Sequence, residues 1–305
     1  ELLEFTIQNY YPELAAQYKG ADRYLKFYLE VVKRTAYLMV GWQRVGFVHG
    51  VMNTDNMSIV GDTIDYGPYG WLEPYDPDWT PNTTDAQGRR YSYANQPGIG
   101  MWNLARLGVA LLPLINDKSL VQSALDTYEA EYEKYWQAAL LAKLGINRYR
   151  GADDDALIKR MFELLQLEEI DMTLFFRSLS AVKAKQEIAR IDQWPVLMRA
   201  AFYQIEELDH GLVKEWVLWL QNYAKRVSET DDMERARQMN TVNPLYVCRN
   251  YLAQQAIDAA EQGDFSIVEG LMEVLRRPYT EQGGKAAFAE RRPEWARNKA
   301  GCSML

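Results

Sequence analysis

From Met101 to about Phe288, apolar residues recur at intervals of three and four, and no stretch of comparable length alternates apolar and polar residues with a period of two. A chain written this way is confined to packing helix on helix. Residues 102–114 are strongly apolar, and 120–144 predict a long amphipathic helix. Ser119 with Gln122 three positions on has the form of a capping box at its start. Further helices are predicted at 154–167, 173–188, 195–208, 211–227 and 229–239. Another is expected to be capped by Asn243-Pro244 and to run to about Gln262, followed by short helices at 265–276 and 284–290. Asp153-Asp154-Asp155 resembles a metal cluster, but three consecutive side chains point apart, and acidic residues suit the positive end of a helix, so capping is the reading taken.

The first hundred residues are different. Residues 22–40 carry Leu25, Tyr28, Leu29, Val32, Ala36, Met39 and Val40 at helical spacing, which predicts a helix with one buried face. Val45, Phe47 and Val48 then suggest a short extended piece, and 57–65 predict two short β pieces turning at Gly61-Asp62. Residues 65–100 are dense in Gly, Pro, Tyr, Asp and Asn and show no period. Two readings fit a loop of that length: a binding or gating segment, or a surface excursion packed down by its own Tyr and Trp side chains. The fold class expected is mainly α with a small β/loop island near residues 45–100.

Composition narrows the partners. The 34 basic against 42 acidic residues give a net charge of −8, and the basic residues are scattered in isolated pairs, so neither nucleic acid nor an anionic membrane is an expected partner. Apolar runs such as 109–115 fall short of the roughly 20 residues that span a bilayer, and no signal segment opens the chain. Two cysteines, Cys248 and Cys302, make no disulfide framework and no zinc spacing, so a reducing, cytoplasmic setting is expected. Cys248, placed on the helix after Pro244, is read as a small buried hydrophobe. The chain starts within an amphipathic run with no initiator Met, as a fragment would.

The island concentrates polar chemistry: His49, Asn53, Asp55, Asn56, Asp62 and Asp65. Asn56 lies seven residues after His49, and Asp65-Tyr66-Gly67 follows the expected hairpin, which is the spacing of a kinase catalytic loop and its metal-binding Asp-Phe-Gly. Mg²⁺ prefers hard oxygen ligands and keeps several waters, so Asn56 and Asp65 with nucleotide phosphates would suffice. Two residues after His49, where kinases carry the catalytic Asp, stands Val51, which accepts no proton. Asp55 is the nearest substitute. Asp62 is read as a turn residue and His49 as a brace for the loop.

The segments HGVMNTDNMSI (49–59), DYGPYGWL (65–72), QPGIGMWNLARL (96–107), NPLYVCRNYLAQQAIDAAEQGDFS (243–266) and LRRPY (275–279) resemble the selenoprotein O family. The resemblance implies a protein-kinase-like fold and transfer of AMP from ATP, bound in a flipped orientation, to Ser, Thr or Tyr hydroxyls of proteins. Mg²⁺ or Mn²⁺ is the implied metal, and UMP transfer is also attributed to bacterial members. By position it makes Asp55 the proton acceptor, Asn56 and Asp65 the metal ligands, and Asp65 also a nucleotide contact. The family's glycine-rich loop, nucleotide-binding Lys, its Glu partner and phosphate-binding Arg residues have no counterpart here. The chain is therefore expected to match the C-terminal lobe and tail alone, with residues 1–115 as the kinase-like core, 116–305 as the helical remainder and tail of one continuous domain, and the N-terminal lobe missing. A non-catalytic, partner-binding helical lobe is the alternative. Cys302 matches the family's C-terminal redox position, but the loop 73–88 holds no cysteine to pair with it.

Overall fold

The computed structural model describes residues 1–185 and 188–299. The chain is mainly helical. Its helices are α1 (Leu2–Tyr10), α2 (Pro12–Gln17), α3 (Gly20–Val45), α4 (Gln96–Ile115), α5 (Lys118–Leu144), α6 (Ala152–Leu165), α7 (Met172–Ser178), α8 (Val196–Ala201), α9 (His210–Arg226), α10 (Asp232–Met239), α11 (Asn250–Ala260) and α12 (Ser266–Arg276). The strands β1 (Phe47–Val48) and β2 (Gly70–Trp71) are two residues each. Two compact units share the chain, interleaved along the sequence.

The first unit holds Glu1–Arg44, Val48–Tyr69 and Thr80–Ala138. Its core forms where the apolar stripe of α3 meets α4. Tyr28 is buried and donates its hydroxyl to Leu104 O at 2.9 Å, and a Cβ at Gly108 would stand 2.7 Å from that same hydroxyl oxygen. Glycine at 108 is thus what lets the two helices approach. The stretch Tyr93–Ile115 is long and apolar enough by composition to cross a bilayer, a length the apolar runs in the sequence understate. Its Gln96 and Asn103 side chains are nonetheless buried on protein groups, as in a helix packed against its own chain.

The second unit holds Val45–Phe47, Gly70–Trp79 and Ala139–Leu305. Its core is aromatic: Trp219 stacks on Tyr223 at 5.3 Å, Phe175 meets Trp216 at 5.5 Å, and Trp219 Nε1 donates to Leu157 O at 2.9 Å. Asp154 in the first turn of α6 does more than favour the helix dipole. It is buried, paired with Arg226 at 2.5 Å, and accepts the Arg150 N–H.

Several expected elements are corrected. No hairpin forms at 57–65, because side chains from earlier in the chain take up that segment's polar groups: Trp42 Nε1 donates to Thr63 Oγ1 at 2.8 Å, and the Tyr11 hydroxyl donates to Ile59 O. The ladder bond runs instead from Leu72 N–H to Gly46 O at 2.8 Å. Asp117, not Ser119, caps α5, its Oδ1 accepting from the N–H groups of Ser119 and Leu120, while Gln122 turns to Asp126. The helix expected at 173–188 stops at Ser178, where Ser178 and Ser180 bond back to the carbonyls of Phe175 and Arg177. The one expected at 195–208 stops at Ala201, because Phe202 turns extended to bridge Ile170. Asn243 caps nothing. It is buried with Nδ2 on Lys143 O at 2.8 Å, and the next helix waits until Asn250.

Candidate functional site

The segment 49–56 enters the first unit as an irregular loop ending in a short 3₁₀ turn, Thr54–Asn56. A loop without a ladder must satisfy its backbone elsewhere, and here side-chain amides do it. Gly50 O accepts from Asn82 Nδ2 at 3.0 Å, Val51 O from Asn56 Nδ2 at 3.1 Å, and Met52 O from Asn103 Nδ2 at 2.9 Å. The His49 N–H donates to Gln96 Oε1 at 2.9 Å. Gln96 and Asn103 are seven apart, two turns along one face of α4, so a single helix face holds both ends of the run His49 to Met52.

His49 is fully buried and bridges two segments. Its Nδ1 lies 3.4 Å from the Val51 nitrogen, and its Nε2 lies 2.8 Å from Ile64 O. The bracing role read from the sequence is what the ring performs, and it ties the loop to the residue before Asp65. A second tie is steric. Gly50 has φ +80°, and a Cβ there would sit 2.4 Å from Pro68 O and 3.1 Å from Pro81 Cγ. Only glycine admits that approach.

His49 and Gly50 thus hold the two segments that carry Asp55, Asn56 and Asp65 against one another. Asp65 takes a left-handed backbone, φ 56°, and its carbonyl accepts the Gly67 N–H at 2.8 Å. Among the described residues no ion pair or side-chain hydrogen bond engages the carboxylates of Asp55 or Asp65, and both are exposed. Asn56 spends its amide nitrogen on Val51 O, and its Oδ1 has no protein partner among the described residues. Three hard oxygen donors of the kind a divalent ion accepts are therefore left open on adjoining segments. Among the described residues no three His, Cys, Asp or Glu side chains converge to hold a metal by themselves.

Sequence reasoning missed the amide clamps. Gln96 and Asn103 sit inside QPGIGMWNLARL, so their motif was visible while their task was not. Tyr91 was also missed; its hydroxyl donates to Asn53 Oδ1 at 2.6 Å, two residues before Asp55. A cavity of 310 Å³ lies beside the loop, lined by Thr54, Met57, Ile59, Asn103 and Arg106 among others. The larger cavities of 820 and 740 Å³ belong to the second unit, and none of Asp55, Asn56 and Asp65 lines them. Cys248 is half-buried against a cluster of Tyr246, Tyr251 and Leu271, and it precedes α11 instead of riding on a helix. Burial pushes its thiol pKa up, against a role as a reactive thiolate. Cys302 lies outside the described residues.

A family model described as protein adenylyltransferase SelO matches residues 1–276. Curated relatives named protein nucleotidyltransferase YdiU include those of Rhodopirellula baltica, 48% identical over 316 residues, and Nitrosospira multiformis, 47% identical over 326, each match covering 100% of this chain and 58% of the relative. That of Xanthomonas euvesicatoria is 50% identical over 307 residues, covering 99% of this chain and 57% of the relative. The chain belongs to the SelO family. It spans 58% of the length of the first two of these relatives, and the matches lend no support to equating that share with a C-terminal lobe and tail alone.

Proposed function

We propose that the chain carries the acceptor and metal-binding side of a protein nucleotidyltransferase, built on a protein-kinase-like lobe with a helical extension. The reaction is transfer of AMP from ATP to a Ser, Thr or Tyr hydroxyl of a target protein. The hydroxyl oxygen bonds to the α-phosphorus, the bond to the bridging oxygen of pyrophosphate breaks, and the hydroxyl proton passes to the Asp55 carboxylate. Asn56 and Asp65 would hold Mg²⁺ or Mn²⁺, and Asp65 would also contact the nucleotide. When bound, the ion supplies positive charge against the polyphosphate.

One observation carries this reading: a loop whose backbone is satisfied by side-chain amides, so that Asp55, Asn56 Oδ1 and Asp65 stay open. Val51 offers no proton acceptor where an ordinary kinase activates its hydroxyl. The relatives' name, nucleotidyltransferase, and the family's description, adenylyltransferase, support the reaction class. Transfer of UMP is the nearest variant of the same chemistry.

The test is which phosphate travels. Incubation with Mg²⁺ or Mn²⁺ and a protein acceptor is expected to move label from α-labelled ATP and none from γ-labelled ATP, with the α signal abolished in Asp65→Ala. Movement of the γ label would restore a kinase. No movement of either label, with no heat on titrating MgATP, would favour a non-catalytic partner-binding lobe. The observation behind that second reading is that this chain spans 58% of the length of the Rhodopirellula baltica relative.

A further inference from the structure

Beside the loop, the first unit displays a basic and aromatic platform in a chain whose net charge is −8. The guanidinium of Arg90 lies 4.9 Å from the ring centre of Trp102, and that of Arg106 lies 5.3 Å from the same ring. Trp102 is 42% exposed, and both arginines are exposed. Neither guanidinium has a carboxylate partner or a hydrogen bond among the described residues. Two like charges held over one ring repel each other, and the ring's negative face offsets only part of that repulsion. The nearest acidic side chain in sequence, Asp85, is spent on the backbone: its oxygens accept the N–H groups of Arg90 at 3.0 Å and Tyr91 at 2.7 Å.

The platform is built rather than frayed. Arg89 takes a left-handed turn at φ 45°, and Asn95 Nδ2 donates to its carbonyl at 2.8 Å. Trp102 stands on α4, one residue before Asn103, on the helix whose Gln96 and Asn103 clamp the loop. Tyr91, next to Arg90, reaches Asn53 with its hydroxyl, which ties the platform to the loop two residues before Asp55. Arg106 also lines the 310 Å³ cavity together with Thr54, Met57 and Ile59, so an apolar seat adjoins the charged one.

We propose that Arg90, Trp102 and Arg106 dock an acidic segment of the target protein, whose Asp or Glu side chains pair with the two exposed guanidiniums. This rests on the reaction proposed above, since the link through Asn53 runs to Asp55, the group that takes the target's hydroxyl proton. An acidic residue near the modified hydroxyl is then part of what the protein selects. The carboxylate is the occupant the charges call for, because both cations lack an anionic partner among the described residues and guanidinium binds a carboxylate in two-pronged fashion.

The test uses fluorescein-labelled peptides that carry one Ser and one Glu within four residues of it, each paired with a Gln counterpart, and reads binding by anisotropy. At least one Glu peptide is expected to bind about fivefold more tightly than its Gln partner, with the preference shrinking at high salt. The preference should vanish in Arg90→Gln/Arg106→Gln and survive in Arg276→Gln/Arg277→Gln, which removes the same charge from the second unit. Equal affinity for all pairs, or equal loss in both double variants, would overturn the proposal. So would a fall in ATP affinity in Arg90→Gln/Arg106→Gln with the peptide preference unmoved, since that assigns the platform to the nucleotide. Asp65→Ala should keep the preference, because docking needs no transfer. A preference without labelling in the native chain therefore sinks the reaction, and labelling without a preference sinks the docking.

Discussion

Two networks, one in each unit, treat their carboxylates in opposite ways. Around the loop of the first unit, neutral amides from Asn56, Asn82 and Asn103 satisfy backbone carbonyls, and the carboxylates of Asp55 and Asp65 stay exposed and unpaired among the described residues. In the second unit, Asp171 is fully buried and held by Arg249 through two contacts of 2.5 and 3.0 Å, while Glu73 lies between Arg249 and Arg292 at 3.7 and 3.4 Å. One network organises backbone and leaves charge free to act. The other buries its charge inside the fold. The carboxylates proposed to serve chemistry are those whose scaffold has been built from something else.

The comparison breaks most readily at Arg249. Its removal in Arg249→Met leaves two buried carboxylates without their shared cation, an expected cost of about 3–5 kcal/mol. Denaturant unfolding should show that loss, and Asp171→Asn added to Arg249→Met should recover part of it, because the cost is an uncompensated charge more than a lost contact. A loss under about 1 kcal/mol, in the range of an exposed pair, would make this cluster no more structural than a surface bridge.

A smaller effect is expected from Gly50→Ala. The left-handed backbone costs about 1–3 kcal/mol for a residue with a side chain, and the added methyl meets Pro68 O at 2.4 Å. Stability should fall by that order while labelling from α-labelled ATP falls much further, because the tie between the loop and Asp65 is what gives way. Gly98→Ala is the matched control, with no neighbour within 4 Å of the new Cβ. Proportional loss of stability and labelling in Gly50→Ala would mean the glycine serves the fold alone.

How far the sequence carried these features depends on their range. Helices α3, α5 and α9 were legible because each follows a spacing that its own residues announce. The bracing His49 was legible from its place in a motif. The clamps were not, since Asn82 and Asn103 act on carbonyls 32 and 51 residues away and nothing local marks an amide for that work. The hairpin at 57–65 failed for a related reason: its short β-like pieces had polar groups that Trp42 and Tyr11 could satisfy in place of a partner strand. Asn243-Pro244 had the form of a cap, but the side chain found Lys143 O, 100 residues off. Local pattern names helices well and long-range polar pairing badly.

The finest test of the contrast is the pH response of Glu73. Burial pushes its pKa up from 4.5 to about 7, against the opposing pull of Arg249 and then Arg292, while Asp171 adds to the rise. A carboxyl whose pKa is higher in the folded state binds its proton more tightly there than in the unfolded chain. Its contribution to stability is complete below about 4.5 and is lost as pH rises through about 7. Urea midpoints measured across that window should therefore fall more steeply with rising pH in the native protein than in Glu73→Gln, which keeps the shape and removes the titration. Above the window the variant should be the more stable of the two, since it buries no charge. Parallel profiles for Glu73→Gln and the native protein would show that Arg249 and Arg292 compensate this carboxylate fully, and the two networks would then differ in burial alone.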